Sequence, residues 1–168
     1  AATAMAGDLM SVLEANVPAI FGGGPLAKET ALAIARKRDL SEIRIVSLTR
    51  QTADRLADEL SSLLGLKVRA TSSPQDACSG ASIVVTVTSA VEPLLFDGDI
   101  QARTLVAAIG SGTPNRRELD GPLVGSAGQI VVETLEPAAS EAGDSIPAHR
   151  AGLPNRTGLP PPPGSRPS

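Results

Sequence analysis

The chain has 168 residues, of which 42% are hydrophobic and only 1% aromatic, and its formal net charge is −3. The length suits one domain with a proper core, which Ala, Val, Leu and Ile must build because aromatic residues are so scarce. A charge this mild, with no aromatic residue beside a basic cluster, argues against a nucleic-acid partner.

The chain contains one cysteine, Cys78, and one histidine, His149. A single cysteine rules out an internal disulfide, and these two residues are too few for a zinc site, so we expect no metal. No apolar stretch reaches the length of a membrane span, and the opening AATAMAGDLM lacks the basic-then-apolar order of a signal peptide. We therefore expect a soluble, cytoplasmic protein without a membrane partner.

Strand-like and helix-like segments alternate along the chain after a helix-like lead-in over 7–15. This alternation and spacing are typical of β-α-β units, which form a parallel sheet with right-handed crossovers. Pro18 is awkward in the first strand because proline cannot donate to a ladder. We predict strands over 16–21, 43–48, 67–73, 82–89, 104–111 and 129–134, and helices over 25–38, 52–65 and 73–80.

The composition changes abruptly near Ile146. The following stretch, PAHRAGLPNRTGLPPPPGSRPS, has no periodicity, and its four successive prolines favour an extended polyproline conformation. We expect residues 147–168 to be a disordered or loosely attached end. A ligand for a proline-recognising module is the alternative.

Three successive glycines follow the first strand in AIFGGGPLAKETALAIARKR. Gly22, Gly24 and Ala27 fit the pattern G-x-G-x-x-A between a strand and a helix. In a dinucleotide-binding fold, the first glycine makes the turn and the second lets the pyrophosphate approach the backbone. The small third residue permits close helix packing, and the phosphates meet the helix N-terminus. A purely structural turn is the alternative.

The end of the second strand bears on the choice of cofactor. An acidic residue at this point favours NAD, whereas a basic residue nearby accommodates the 2′-phosphate of NADP. The sequence VSLTRQTA offers Ser47, Thr49 and Arg50 but no carboxylate before Asp54. We therefore expect NADP(H) to be favoured over NAD(H), unless Arg50 is an ordinary surface residue.

Three later stretches resemble the cofactor domain of the ornithine cyclodeaminase/mu-crystallin family, and they occur in the family's order. They are SGASIVVTVTSAVEPLL, LVAAIGSGTPNRRELD and IVVETLEPAASEAGD. The opening TAMAGDLMSVLEA resembles a shortened form of the family's lead-in. The resemblance implies a lead-in helix over 1–16 and an NAD(P)-binding domain over 17–146. Its fold would be α/β and Rossmann-like, a doubly wound, mostly parallel sheet of about six strands with helices on both faces.

The resemblance also implies an activity. Family members either eliminate ammonia from ornithine to make proline or reduce ketimines with NAD(P)H, and a second domain binds the amino acid or cyclic imine. On this basis the Pro25–Leu26 backbone would face the pyrophosphate, and Ser47 to Arg50 would face the adenosine ribose. Thr86 and Thr88 would border the cofactor, and Ala108 and Ile109 would lie along its nicotinamide side. Arg116 matches a position where family members often place a basic residue near the cofactor, with a solvated surface cluster as the alternative. The expected cofactor-binding residues are Gly22, Gly24, Pro25, Leu26, Ala27, Ser47, Thr49, Arg50, Thr86, Thr88, Ala108, Ile109 and Arg116.

Two departures from the family pattern limit this expectation. Cyclodeaminases carry an acidic residue two positions after the glycine of the AIG turn, and that position is Gly112 here. Its absence favours the ketimine-reductase or another non-cyclodeaminase branch, and we name no catalytic residue. Family members are also much longer, and their N-terminal half supplies the lysine and arginine for the substrate carboxylate and the dimer interface.

The remaining candidates for chemistry have plainer explanations. Asp97 and Asp99 in FDGDI form an acidic pair, but the DG step favours a turn. Cys78 lies beside Ala77 and Ala81 on a presumed helix face, which is typical of a buried residue. Glu141 and Asp144 match a family element near the cleft, with helix capping as the alternative.

Three interpretations stay open at the level of sequence. The chain is the NAD(P)-binding domain of an oxidoreductase or cyclodeaminase-like enzyme, a free-standing dinucleotide-binding module without turnover, or a degenerate remnant that binds no cofactor. A domain without its partner would expose apolar surface along the cleft, so we expect a homodimer or poor solubility.

Overall fold

The computed structural model describes residues 16–110 and 116–128. The predicted lead-in helix, the candidate strand over 129–134, Gly112 and the proline-rich end lie outside these residues. The strands are β1 (Pro18–Phe21), β2 (Glu42–Val46), β3 (Lys67–Ala70), β4 (Ile83–Thr86) and β5 (Leu105–Ala108), and the helices are α1 (Pro25–Ala35), α2 (Arg50–Leu64), α3 (Pro74–Cys78) and α4 (Gly121–Ser126).

The five strands of the described residues form one parallel sheet in the order β3-β2-β1-β4-β5. This confirms the predicted α/β class and the doubly wound arrangement, in which the chain builds outward from β1 in both directions. Pro18 is compatible with the central strand because it is the first residue of β1, a position that needs no ladder donor.

Both faces of the sheet are covered by helices. The first face packs against α1 and α2 through a cluster of aliphatic side chains that includes Ile20, Ile43 and Leu60. The opposite face packs against α3 and α4, with Phe21 and Leu123 among its members. Successive residues of β1 therefore serve opposite layers, and all four residues of β1 and of β4 are buried.

Several boundaries differ from the prediction. α1 ends at Ala35 rather than Arg38, because Lys37 donates to the carbonyl of Ile34 in a tighter final turn. α2 begins two residues early, at Arg50, because the side chain of Thr49 caps it. Its predicted end is confirmed, since Gly65 adopts a left-handed conformation with φ of 64°. The short helix α4 was not predicted.

Candidate cofactor-binding cleft

The carboxyl ends of β1 and β4 lie side by side at the centre of the sheet, where Phe21 pairs with Thr86. From these ends the chain leaves β1 toward β2 and β4 toward β5, in opposite directions across the sheet. In open α/β sheets such a switch in direction leaves a crevice outside the carboxyl ends of the strands, where ligands bind. Most of the predicted site residues lie at this edge.

Gly22 makes the turn out of β1. Its φ is +142°, and a Cβ atom there would lie 2.8 Å from both Cγ2 and O of Val87. Its N–H donates to the carbonyl of Val46 at 2.8 Å. Glycine is therefore required at this position by the fold itself, since other residues rarely adopt this backbone conformation.

Gly24 differs from Gly22 in both its backbone conformation and its surroundings. It has an ordinary extended backbone with φ of −91°, and a Cβ atom there would meet nothing within 4 Å. It precedes α1, whose N-terminus has no side-chain cap and no acidic residue in its first turn. The open space and the uncapped N–H groups make this helix end a suitable place for an anion.

The other helices of the described residues are capped. Thr49 accepts from the N–H of Thr52 at the start of α2, and Ser73 and Asp120 cap α3 and α4 in the same way. Each capping side chain occupies the position that a ligand would take at α1. The helix that follows the glycine turn is thus the one whose N-terminus remains open to the crevice.

The middle glycine, Gly23, is also needed for packing, which the sequence analysis did not predict. A Cβ atom there would lie 2.6 Å from Oγ of Ser47 and would collide with Cγ2 of Thr52. The glycine turn is therefore pressed against the end of β2 and the start of α2. The predicted adenosine-side residues thus adjoin the predicted phosphate turn.

The three residues predicted to face the adenosine ribose have distinct environments. Ser47 is half-buried behind Gly23, and Thr49 is occupied as the cap of α2. Arg50 is exposed at the helix start, where its Nε lies 2.8 Å from Asp54 Oδ1. A guanidinium held only by an exposed ion pair can exchange its carboxylate for a phosphate at small cost.

At the other side of the crevice, the ends of β4 and β5 meet a buried carboxylate. Glu118 is fully buried, and its carboxylate accepts from the hydroxyl of Thr86 at 2.8 Å and from the hydroxyl of Thr88 at 2.6 Å. It also accepts from the backbone N–H of Thr88 at 2.6 Å and of Gly110 at 2.8 Å. Thr86 is itself fully buried, so its predicted place beside a cofactor is beneath the surface of the cleft.

Gly110 is required by this cluster. A Cβ atom there would collide with the backbone of Thr88, and it would lie 2.5 Å from Oε1 of Glu118. The glycine of the AIG turn therefore lets the end of β5 approach the carboxylate and the end of β4.

The remaining predicted residues lie around the same edge. Ala27 is buried on the side of α1 that packs into the core, which fits its expected packing role, while Pro25 and Leu26 are exposed beside Gly24. Ala108 is exposed at the end of β5, and Ile109 is half-buried against the core. Arg116 is exposed two residues before Glu118.

Two of the plainer candidates lie within the described residues, the acidic pair and the cysteine, whereas Glu141 and Asp144 lie outside them. Asp97 and Asp99 lie in a single 3-10 turn, as predicted, where Asp99 accepts from the N–H of Phe96. Cys78 is buried, and burial raises the pKa of its thiol to about 11, so the thiol is unreactive. Within residues 16–110 and 116–128, no group of three or more His, Cys, Asp or Glu side chains is placed to hold a metal ion.

Sequence reasoning missed Glu118 because it follows two arginines in RRELD, a pattern typical of a solvated surface. The signal that could have found it is the strand end TVT. The hydroxyls of Thr86 and Thr88 are donors, and so is the backbone N–H of Thr88, which lies beyond the end of β4. These donors need an acceptor if that edge of the sheet is buried.

The comparisons with known proteins agree with this geometry. The profile of the ornithine cyclodeaminase/mu-crystallin family matches residues 1–151. The chain belongs to this family. The ketimine reductase mu-crystallin of Mus musculus is 32% identical over 146 residues, which are 87% of this chain and 45% of that protein. The Delta(1)-pyrroline-2-carboxylate reductase of Bacillus cereus is 32% identical over 134 residues, or 80% of this chain and 41% of that protein.

A solved structure has the same fold. The Delta(1)-pyrroline-2-carboxylate reductase of Thermococcus litoralis, in complex with NADH and L-proline, superposes with a TM-score of 0.83 at 25% identity. The match covers 92% of this chain and 48% of that chain. This chain thus spans about half the length of the relatives it matches. A transmembrane helix needs a long apolar stretch, and none of the helices within the described residues meets that requirement.

Proposed function

We propose that this chain is the NAD(P)-binding domain of an ornithine cyclodeaminase/mu-crystallin-like protein. The observation that carries the proposal is the start of α1. Its N-terminus has no side-chain cap, and the preceding Gly24 faces open space at the carboxyl edge of the sheet, where β1 and β4 end side by side. Backbone N–H groups at the positive end of a helix dipole hold a pyrophosphate in this way.

In this proposal each half of the sheet binds one half of the dinucleotide. The backbone of Gly24 to Ala27 receives the pyrophosphate, and Ser47 to Arg50 at the end of β2 lie toward the adenosine ribose. Thr88, Ala108 and Ile109 lie toward the nicotinamide, and Arg116 stays a predicted contact at that side. The bound nicotinamide would supply or accept a hydride there.

The preference for NADP(H) remains part of the proposal. It rests on Arg50, which is exposed at the start of α2, where it forms an ion pair with Asp54. It also rests on the absence of a carboxylate between Ser47 and Asp54. A ribose diol would favour such a carboxylate, whereas a 2′-phosphate favours the guanidinium.

The proposed substrate is a small amino acid or cyclic imine, bound with the help of a second domain. Its chemistry is ketimine reduction rather than ammonia-eliminating cyclisation, because Gly112 stands where cyclodeaminases carry an acidic residue. The reductase relatives support this choice. A module that binds the dinucleotide without turnover is the second candidate, since the same Gly112 leaves the position without an acid.

The decisive experiment is Gly24→Asp, followed by titration with NADPH and NADH using nicotinamide fluorescence or calorimetry. An aspartate at this position would cap α1, so we expect the free energy of unfolding to rise by up to about 0.5 kcal/mol. The same carboxylate would occupy the phosphate position and repel the ligand, so we expect dinucleotide affinity to fall more than about tenfold. These opposite signs cannot come from general unfolding.

Two results would contradict the proposal. One is wild-type protein that binds neither dinucleotide at millimolar concentration, which would leave glycines that only turn the chain. The other is unchanged affinity in Gly24→Asp. Turnover of a cyclic imine, measured with NADPH, separates the enzyme from the non-catalytic module.

The cofactor preference has its own matched pair of variants. Arg50→Ala should weaken NADPH binding about tenfold and leave NADH binding unchanged. Arg55→Ala, which removes an exposed arginine farther along α2, should change neither. Equal losses for both dinucleotides in Arg50→Ala would assign the arginine to general steering instead.

Two further expectations belong to this proposal. A cytoplasmic location remains a prediction. Self-association also remains a prediction, motivated by exposed apolar side chains that include Leu26, Val91 and Phe96. Sedimentation velocity tests it, and a well-behaved monomer at high concentration would contradict it.

A further inference from the structure

The paired strands β4 and β5 stay connected by hydrogen bonds beyond the point where their backbone ladder ends. The last backbone bond of this pair runs from the N–H of Ile109 to the carbonyl of Thr86 at 2.8 Å. One step farther, the N–H groups of Thr88 and Gly110 both donate to the carboxylate of Glu118. A single side chain therefore replaces main-chain pairing where the two strand ends part.

The two carboxylate oxygens of Glu118 accept hydrogen bonds from different donors. Oε1 accepts from the backbone N–H and the hydroxyl of Thr88, and Oε2 accepts from Gly110 and from the hydroxyl of Thr86. These donors lie 2.6–2.8 Å from the carboxylate, which is fully buried. Hydrogen bonds to a charged acceptor in such a site hold the groups they join more firmly than neutral bonds do.

The backbone of Glu118 is fixed as well. Its carbonyl accepts from the N–H of Leu94 at 2.8 Å and of Leu95 at 3.2 Å. Leu95 in turn forms an isolated parallel bridge with Leu119. The side chain therefore projects from a segment anchored to the loop after β4, rather than from a free loop.

We propose that Glu118 is the positioning residue for the second mononucleotide of the bound cofactor, a role that rests on the function proposed above. In a doubly wound sheet, each half binds one mononucleotide, and β4 and β5 belong to the half opposite the glycine turn. Glu118 sets the separation of the strand ends that carry Thr88 and Ala108. It does not touch the ligand, because its side chain is buried beneath those ends.

The test compares whole dinucleotides with their adenosine halves. Glu118→Gln keeps the size of the side chain but replaces one acceptor oxygen with a donor group that faces an N–H or a hydroxyl. We expect affinity for NADPH and NADH to fall about tenfold. Affinity for adenosine 2′,5′-bisphosphate and AMP, which occupy only the half formed by β1–β3, should stay unchanged. Glu92→Gln removes the same charge from an exposed position in the loop after β4 and should alter none of these affinities.

A second pair of variants covers the case in which Glu118→Gln does not fold. Thr86→Val removes one donor to the same carboxylate from a side chain that is fully buried, so no ligand contact is lost directly. We expect a smaller loss in the same direction, for the dinucleotides alone. Thr86→Ser restores the hydroxyl and should restore the affinity.

The outcomes separate the two proposals. Equal losses for dinucleotides and adenosine fragments would mean general loosening and would overturn the positioning role. Unchanged dinucleotide affinity in folded Glu118→Gln or Thr86→Val would overturn it too, while the proposed function stands. Wild-type protein that binds the adenosine fragments but no dinucleotide, or binds nothing, would overturn both.

Discussion

The two halves of the carboxyl edge are built by different chemistry. At β1 and β2 the edge consists of glycine backbone and an uncapped helix start, with Gly24 facing open space. At β4 and β5 it is closed by Glu118, which holds Thr88 and Gly110 together. One half leaves backbone donors available to a ligand, whereas the other uses its donors internally. The comparison indicates that a cleft needs both an open surface for recognition and a satisfied frame that keeps its width.

The largest loss of stability should come from adding a side chain at Gly110, in the half of the edge formed by β4 and β5. Gly110→Ala places a methyl group against the backbone of Thr88 and Oε1 of Glu118, so the end of β5 must move. We expect the free energy of unfolding to fall by about 3 kcal/mol in urea denaturation. Gly98→Ala is the matched control, because a Cβ atom there meets nothing within 4 Å. Equal stability of the two variants would mean that the closed half tolerates expansion.

The next effect distinguishes two glycines within one turn. Gly22→Ala forces a side chain into a φ of +142° and against Val87, so we expect a loss of about 2 kcal/mol. Gly24→Ala has an ordinary φ and open space, so only the poorer N-cap preference of alanine should count, and the loss should stay under about 1 kcal/mol. Thermal unfolding of both variants measures the difference. Similar losses in both would remove the distinction between a glycine kept for the fold and one kept for a ligand.

A smaller effect tests the capped helix that adjoins the open one. Thr49→Ala removes the acceptor for the N–H of Thr52, which lies 3.2 Å from the threonine hydroxyl. We expect the free energy of unfolding to fall by about 1 kcal/mol. Thr49→Ser keeps the hydroxyl and should recover most of that loss. If Thr49→Ser is as unstable as Thr49→Ala, the methyl group matters more than the cap.

The smallest effect concerns a carboxylate on the first half, far less enclosed than Glu118. Burial alone would raise the pKa of Glu42, but hydrogen bonds from Lys67, Arg44 and Arg69 outweigh it and hold the pKa below its ordinary value. A group whose pKa is lowered by folding stabilises the protein above its unfolded pKa, and the contribution disappears as the pH falls through the folded one.

We therefore expect the free energy of unfolding to decline below about pH 4, with the Glu42 contribution under about 1 kcal/mol. Glu42→Gln should be less stable than wild type at neutral pH, and the two curves should converge in acid. Denaturant titrations across this range measure both. Parallel curves at every pH would show that the loss comes from packing.

The order of strands and helices and the parallel sheet could be predicted from sequence, because both follow from local periodicity and short connections. The turn at Gly22 and the helix end at Gly65 were also visible, since glycine marks backbone conformations that other residues avoid. The resemblance to the ornithine cyclodeaminase/mu-crystallin family is confirmed by the family match over residues 1–151. The site residues inferred from it stay predictions, apart from their positions in the fold.

Other features depended on neighbours that the sequence does not specify. The cap at Thr49 and the crowding at Gly23 arise where the end of β2 meets the glycine turn. No local pattern distinguishes a threonine that caps a helix from one that binds a ribose. The strands also proved shorter than predicted, because β-favouring residues continue past the point where the ladder ends.

The sequence by itself determined the class of fold and the place of the glycine turn, because these depend on residues close together in the chain. Only the tertiary structure decided the role of Glu118. Its carboxylate is a surface charge in sequence, yet it becomes the buried acceptor for donors 32, 30 and 8 residues away. A buried carboxylate is stable only where donors from several segments converge on it, and that convergence exists only once the sheet has formed.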